Sequence, residues 1–267
     1  MQALGEMLKE LSRRGNTGFT YEEYLRQNAE EYNAKPGTLT GYECPKCKNR
    51  GDYMTVVGTQ NALRECECMA IRRNLQMIEN SGLKDLLEEY TFDRYQIREP
   101  WQRNILETAQ RYVQDHGDQW FWIGGQVGCG KTHICTAIVD CFLRAGMPSR
   151  YMLWRDAVVQ LKGLVNDTEY GREISPYKTV PVLYIDDFFK TEQGKRPTAG
   201  DVHIAFEILN YRYNNKGLLT IISSERNSDE LMDIDEATGS RIYQRTKGYC
   251  LNIGQDRRKN WRLNREQ

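Results

Sequence analysis

From about residue 100 onward the apolar positions follow two alternating rhythms. Short, continuous, β-branched or aromatic runs occur at Trp120–Ile123, Arg150–Leu153, Val182–Ile185, Leu218–Ile222 and Tyr249–Ile253. Runs of that length with no polar alternation predict strands buried on both faces. Between them the apolar residues recur at helical spacing. One helix is expected over Trp101–Val113. A second carries Ile134, Ala137, Ile138, Cys141 and Phe142, and a third carries Val202, Ala205, Phe206, Leu209 and Tyr213 before stopping at Gly217. A further helix is expected from about Asp229. Strands alternating with helices predict an α/β fold, a parallel five-stranded sheet covered on both faces.

The first hundred residues follow a different pattern. Leu4, Met7, Leu8 and Leu11 lie on one face of a short amphipathic helix ended near Gly15, suited either to docking on its own domain or to a partner's groove. A second helix starts at Thr20, which with Glu23 makes a capping box; Phe19 and Tyr24 can form the hydrophobic staple. It should run to about Asn33, before Pro36-Gly37. Cys44-Pro45-Lys46-Cys47 is then matched by Cys66-Glu67-Cys68, with a hairpin-sized insert whose Tyr53–Val57 can be a strand. Two close cysteine pairs at this separation can set four thiolates tetrahedrally around Zn²⁺, which would fold the domain and do no chemistry. Iron–sulfur ligation and a redox dithiol are the alternatives for the same residues. Met69–Leu75 continues as a helix with Arg64, Arg72 and Arg73 nearby, charges that serve as a solvated face or reach phosphate. Ser81–Glu99, around Gly82 and Thr91, reads as a link. The expected division is therefore 1–80 helical and zinc-binding, 81–99 linker, 100–267 nucleotide-binding.

Composition narrows the function classes. Lys+Arg and Asp+Glu are both 37, so no global basic excess points to nucleic acid. No apolar run approaches the roughly 18 residues a membrane span needs. The N-terminus lacks the basic start and long apolar core of a secretory signal, so a cytoplasmic location is expected. In that compartment eight cysteines point to metal ligands or core residues before disulfides.

The chemistry centres on Gly125-Gln126-Val127-Gly128-Cys129-Gly130-Lys131-Thr132, a complete G-x-x-x-x-G-K-[ST] between a predicted strand and a predicted helix. Its glycines let main-chain N–H groups turn onto a polyphosphate, and the helix N-terminus, including His133, adds its own. Lys131 can reach the β- and γ-phosphates, and the Thr132 hydroxyl can ligate Mg²⁺. Asp186 and Asp187 end the strand Val182–Ile185 beside this loop: Asp186 can hold Mg²⁺, and Asp187 can orient or deprotonate the attacking water. Thr220-Ile221-Ile222-Ser223-Ser224-Glu225 is another buried strand with a polar end, expected to deliver Ser224 or Glu225 near the γ-phosphate.

Glycine loop, Asp-Asp strand, polar sensor strand and Gly239-Ser240-Arg241 follow one another as in AAA+ ATPases. More narrowly, Ser223–Leu231 and Asp235–Ile242 resemble the sensor stretch and arginine-finger box of bacterial and phage replicative helicase loaders of the DnaC/DnaI type. The cysteine quartet, Ser81-Gly82-Leu83 and Tyr90-Thr91-Phe92 resemble the zinc-containing half of the DnaI branch. The likeness covers about residues 40–255. It implies an AAA+ core without a full helical lid, ATP with Mg²⁺ and Zn²⁺ as cofactors, and an ATPase that places a hexameric replicative helicase on single-stranded DNA. It further implies self-association, with Arg241 reaching a neighbour's ATP and Arg245 as the backup candidate. Three departures stand out: Asp187 replaces the commoner glutamate, Glu225 stands where asparagine is frequent, and only fourteen residues follow Ile253. A second sensor arginine would have to come from Arg257, Arg258 or Arg262. An IstB-type transposition helper and a helicase adaptor with little hydrolysis are the rival readings.

DNA contact is expected of Trp154–Val165 with Lys162, of Phe188-Phe189-Lys190, or of the 192–200 loop with Lys195 and Arg196; for Trp154 and Phe188 a core position is the competing use. Cys129, Cys135, Cys141 and Cys250, and the side chains of the isolated histidines His116, His133 and His203, are read as structural.

Overall fold

A computed structural model describes residues 20–79, 84–192 and 195–263. The helix expected around Leu4–Leu11 and the Phe19 half of the staple lie outside the described residues. The chain forms two compact units, 1–69 and 70–267.

In the first unit, α1 (Tyr21–Ala34) begins with the expected capping box: Thr20 Oγ1 accepts from the Glu23 N–H, and the Glu23 carboxylate accepts from the Thr20 N–H. Its buried positions are Leu25 and Ala29, one turn apart. Strands β1 (Asp52–Val57) and β2 (Gln60–Glu65) form an antiparallel hairpin turned at Gly58, whose φ is 60°. Helix α2 (Cys68–Glu79) begins with the last two residues of this unit, and the rest of it belongs to the second.

In the second unit, α3 (Lys84–Glu89), a 3₁₀ turn at Phe92–Arg94 and α4 (Pro100–Asp115) lead into β3 (Phe121–Gly125). Within 84–99, read from the sequence as link, Leu87 and Tyr95 are buried in the core of this unit. After β3 come α5 (Lys131–Arg144), β4 (Ser149–Leu153), α6 (Trp154–Leu164), α7 (Tyr170–Thr179) and β5 (Val182–Asp186). Then follow α8 (Ala199–Asn214), β6 (Leu219–Ser224), α9 (Ser228–Ile234), α10 (Glu236–Arg245) and β7 (Cys250–Ile253). The five strands of this unit pair in parallel in the order β4-β5-β6-β3-β7, the parallel α/β sheet that the apolar rhythm predicts.

Alternating residues of each strand feed two cores. Phe121, Ile123, Tyr184 and Ile221 pack with Ile105, Tyr112, Ile134 and Ile138 of α4 and α5 on one face. Trp122, Leu183, Ile185 and Ile222 pack with Leu161, Ile174, Ile208 and Ile242 of α6, α7, α8 and α10 on the other. Trp154 and Phe188 belong to this second core, with rings 4.8 Å apart edge to face. They are core residues and not the exposed DNA-stacking aromatics that were the other expectation. Lys162, the basic candidate beside them, pairs with Asp201 at 2.8 Å.

Arg212 is fully buried in this scaffold. Arg212 donates to the carbonyls of Val180 (2.7 Å) and Leu219 (2.5 Å), to those of Tyr177 and Lys178 at the end of α7, and to Thr220 Oγ1. Carbonyls in the last turn of a helix have no intrahelical donor, so the guanidinium caps α7 and ties it to the starts of β5 and β6. Burial without a carboxylate pulls its pKa down to about 9.

Candidate nucleotide and metal sites

The glycine loop leaves the C-terminal end of β3, two strands along from β5 in the sheet, and opens directly into α5. Gly125 and Gly130 have φ of 103° and 92°, a region that penalises any Cβ. A Cβ on Gly125 would also lie 2.1 Å from the Ile253 carbonyl oxygen. The loop thus turns tightly, and its first intrahelical bond runs from the Ile134 N–H to the Gly130 carbonyl. The N–H groups of Lys131, Thr132 and His133 precede it at the helix start, where a phosphate is stabilised. The His133 side chain points elsewhere: its ring stacks on Tyr90 (4.8 Å), meets Tyr95 edge on, and places Nε2 2.8 Å from the Thr91 carbonyl. Only its main-chain N–H therefore faces the loop's ligand side. Lys131 is buried, with Nζ donating to the carbonyls of Gly125 (2.9 Å) and Gln126 (2.7 Å).

Asp186 gathers the rest of the site. Its Oδ1 lies 3.5 Å from Thr132 Oγ1 and accepts from the Ser223 hydroxyl and the Asp187 N–H; its Oδ2 accepts from Tyr151 at 3.0 Å. A hydroxyl and a carboxylate side by side are the hard oxygen donors Mg²⁺ takes, so Thr132 and Asp186 fit that ion. Burial and the adjacent Asp186 charge push the Tyr151 phenol far up, which keeps it a proton donor.

Here the sensor strand departs from expectation. Ser223, not Ser224 or Glu225, reaches Asp186. Ser224 is buried and donates to the Phe188 carbonyl (2.7 Å), while Glu225 pairs with Lys190 at 2.9 Å. Asp187 also pairs with Lys190, at 2.8 Å. Burial lowers the Lys190 ammonium, but its hydrogen bonds to these two carboxylates outweigh that and hold it above its ordinary range. The sequence reading missed Ser223, Tyr151 and Lys190 as members of the site. It also missed Tyr95, a buried residue whose ring lies 3.1 Å from where a Gly130 Cβ would stand.

Arg241 sits on α10. Its Nη1 donates to Ala237 O (2.7 Å), its Nε to Asn210 Oδ1 (3.1 Å), and its guanidinium lies 5.1 Å from the Phe206 ring centre. None of these partners belongs to the nucleotide loop of the same chain. Arg245, the backup candidate, is turned onto the Trp120 ring, with Nε and Nη2 buried and unpartnered. Of the tail arginines, Arg258 pairs with Asp256, and the Trp261 N–H donates to the Gly128 carbonyl, so the chain after β7 runs against the glycine loop.

In the first unit, Cys44, Cys47, Cys66 and Cys68 are all buried and their sulfurs lie within 4.8 Å of one another. Contacts of 3.7 Å (Cys44–Cys66) and 3.5 Å (Cys47–Cys68) approach the ~3.8 Å edge of a tetrahedron with zinc–sulfur bonds of about 2.3 Å. None of the four is in a disulfide. Burial pushes the Cys47 thiol up, but the Gly51 N–H and the neighbouring sulfurs prevail and bring it down to about 6. The donor set fits a single Zn²⁺; a polynuclear cluster would need sulfurs further apart.

A glycine loop and an Asp–Thr pair at the C-terminal edge of a parallel sheet define a P-loop nucleotide-binding module. A family model described as IstB-like ATP binding protein matches residues 54–242, and the chain belongs to that family. Protein YqaM of Bacillus subtilis (strain 168) is 34% identical over 205 residues, 73% of this chain; the match spans 64% of YqaM's own length. The phage-like element PBSX protein XkdC of the same strain is 30% identical over 224 residues, 79% of this chain and 82% of XkdC. The replicative helicase loader DnaC of Escherichia coli (strain K12) is 23% identical over 213 residues, 76% of this chain and 82% of that protein. Crystal structures of the DnaC helicase loader and of DnaI share the fold at a TM-score of 0.52 each, at 20% and 19% identity. They cover 64% of this chain and 98% and 93% of their own. The likeness to DnaC/DnaI-type proteins read from the motifs is therefore matched in sequence and in fold. Among the described residues no helix is long and apolar enough to cross a membrane.

Proposed function

We propose that this chain is an ATP-switched loader that places a hexameric replicative helicase on single-stranded DNA. The observation that carries the reading is the pairing, in one chain, of a complete nucleotide cradle with a separate cysteine-clustered unit, in a sequence related to proteins named helicase loaders. The cysteine unit, about residues 1–80, binds the helicase. The ATP-binding unit self-associates, contacts DNA and hydrolyses ATP.

In this reading the N–H groups of the glycine loop hold the phosphates and Lys131 moves from its carbonyl partners onto the β- and γ-phosphates. Thr132 and Asp186 would hold Mg²⁺, which would supply charge neutralisation on the phosphate oxygens. Ser223 and Tyr151 fix the Asp186 carboxylate from two sides. Asp187 takes a proton from water as its oxygen bonds to the γ-phosphorus, and the bond to the β-phosphate oxygen breaks to release ADP. Arg241 of one protomer stabilises the charge that spreads over the neighbour's transferring phosphoryl group. Asp187 is shorter than glutamate and is paired with Lys190, which supports slow basal turnover.

The family description keeps an IstB-type transposition helper as a second reading. ATP turnover with and without single-stranded DNA and helicase, for wild type and Lys131→Ala, tests the proposal. A loader is expected to turn over faster with both present, and Lys131→Ala to lose nucleotide binding and that stimulation together. Turnover indifferent to both partners would leave ATP as a structural ligand of an adaptor.

A further inference from the structure

The turn after the Asp pair is unusually constrained. Asp187 and Phe189 have φ of 54° and 55°, left-handed values that non-glycine residues rarely adopt. Such conformations persist where the surroundings over-determine them, and they concentrate at functional sites. Here the surroundings are specific. Phe188 and Phe189 are buried, stacked at 4.1 Å, and both meet Trp154 edge on. The Phe188 N–H donates to the Ser223 carbonyl, Ser224 Oγ to the Phe188 carbonyl, and Arg226 Nε to the Phe189 carbonyl. The two phenylalanines are thus nailed inward, and the turn closes with the Lys190 N–H on the Asp187 carbonyl at 2.9 Å. Both charged ends, Asp187 and Lys190, are left on the solvent side.

There Lys190 Nζ stands between two carboxylates, 2.8 Å from Asp187 Oδ2 and 2.9 Å from Glu225 Oε1. The three side chains are 27–37% exposed, so the bridge is reachable from solvent and its charges are partly screened. One Asp187 carboxylate oxygen is thus occupied by the ammonium and turned toward it. Glu225, at the end of β6, gives the ammonium a second anchor on a different strand from Asp187.

We propose that Lys190 is a built-in restraint on the second acid, holding Asp187 away from water activation until the bridge opens. The proposal rests on the reading of Asp187 as the water-activating carboxylate. Lys190 is a positioning residue in this account: it acts through Asp187 and touches no reacting atom. Glu225 is the second post of the restraint, which gives a role to an acid standing where asparagine is frequent.

The test is single-turnover ATP hydrolysis at saturating nucleotide and Mg²⁺, with nucleotide affinity measured separately, on the full chain without helicase. Lys190→Met is expected to raise the rate constant about 10-fold, part of the roughly 10²–10⁴-fold a positioned base contributes. Nucleotide affinity should stay within about 2-fold, and Lys190→Arg should restore wild-type behaviour, because the guanidinium keeps the bridge. The double variant Lys190→Met with Asp187→Asn should lose the gain. Lys190→Gln, which keeps a hydrogen-bond donor without the charge, gives the same increase if Lys190→Met folds poorly. A Lys190→Met or Lys190→Gln rate at or below wild type, or a gain that survives in the double variant, overturns the proposal. Absence of helicase binding would count against the loader reading alone, since no helicase enters this measurement.

Discussion

Stripping the metal from the cysteine quartet, or replacing Cys47 with serine, is expected to unfold residues 20–69 and leave the ATP-binding unit folded. Among the described residues of the first unit the buried apolar side chains are Leu25, Ala29 and the four cysteines. Full burial of a leucine contributes about 1.5–3 kcal/mol, whereas ordering each residue's backbone costs about 1–2 kcal/mol. A unit this small with so few buried groups cannot offset that cost by packing. A structural zinc adds about 10–16 kcal/mol of apparent binding free energy, which here would be folding free energy. Metal analysis should find about one zinc per chain. Limited proteolysis after chelation should cut within 20–69 while the sheet unit survives. The sheet unit is expected to survive because its two cores are built from strands and helices of residues 84–253 and use none of the four cysteines. A metal-free chain with an intact first unit would contradict this.

The second large effect is expected at Arg241. Arginine fingers contribute roughly 10³–10⁵ in rate where they act, so Arg241→Ala should lower turnover in the assembled protein by about that factor and leave nucleotide affinity near wild type. The contacts to Asn210, Ala237 and Phe206 fix the plane of the guanidinium on α10 before any neighbour arrives. Arg245 should not substitute, because it faces Trp120. A mixing experiment separates action between subunits from action within one. Lys131→Ala supplies Arg241 but binds no nucleotide, and Arg241→Ala binds nucleotide but supplies no guanidinium. Mixed, they should recover part of the turnover that each lacks alone. No loss in Arg241→Ala, or no recovery on mixing, would count against a finger in trans.

The parts legible from sequence were those whose cause is local. The glycine loop is contiguous, so its turn, its helix and Lys131 follow from eight residues in a row. The five strands are short apolar runs, and burial on both faces leaves few other ways to fold them. Thr20 with Glu23 is a four-residue event, and the structure reproduces it. What stayed hidden depends on register between strands. Ser223 reaches Asp186 because β6 lies beside β5 with Ile222 opposite Ile185; nothing near Ser223 in the chain distinguishes it from Ser224. Tyr151 reads as one more apolar strand residue, and only the pairing of Leu153 with Asp186 brings its hydroxyl there. Lys190 and Glu225 are thirty-five residues apart in numbering and adjacent across two strand ends. Arg212 reads as a polar helix position, yet it is buried because the carbonyls it caps come from another helix and two strands. The stretch 84–99 lacks a clean period, and its Leu87 and Tyr95 are placed by the surface they cover.

In the proposed function, ATP at the glycine loop controls a grip on the replicative helicase. Size-exclusion chromatography of the full chain with a hexameric replicative helicase, run with and without ATP, tests it most directly. A complex whose amount or stoichiometry changes with nucleotide is expected for wild type and not for Lys131→Ala. Separate elution of the two proteins in both conditions would contradict it.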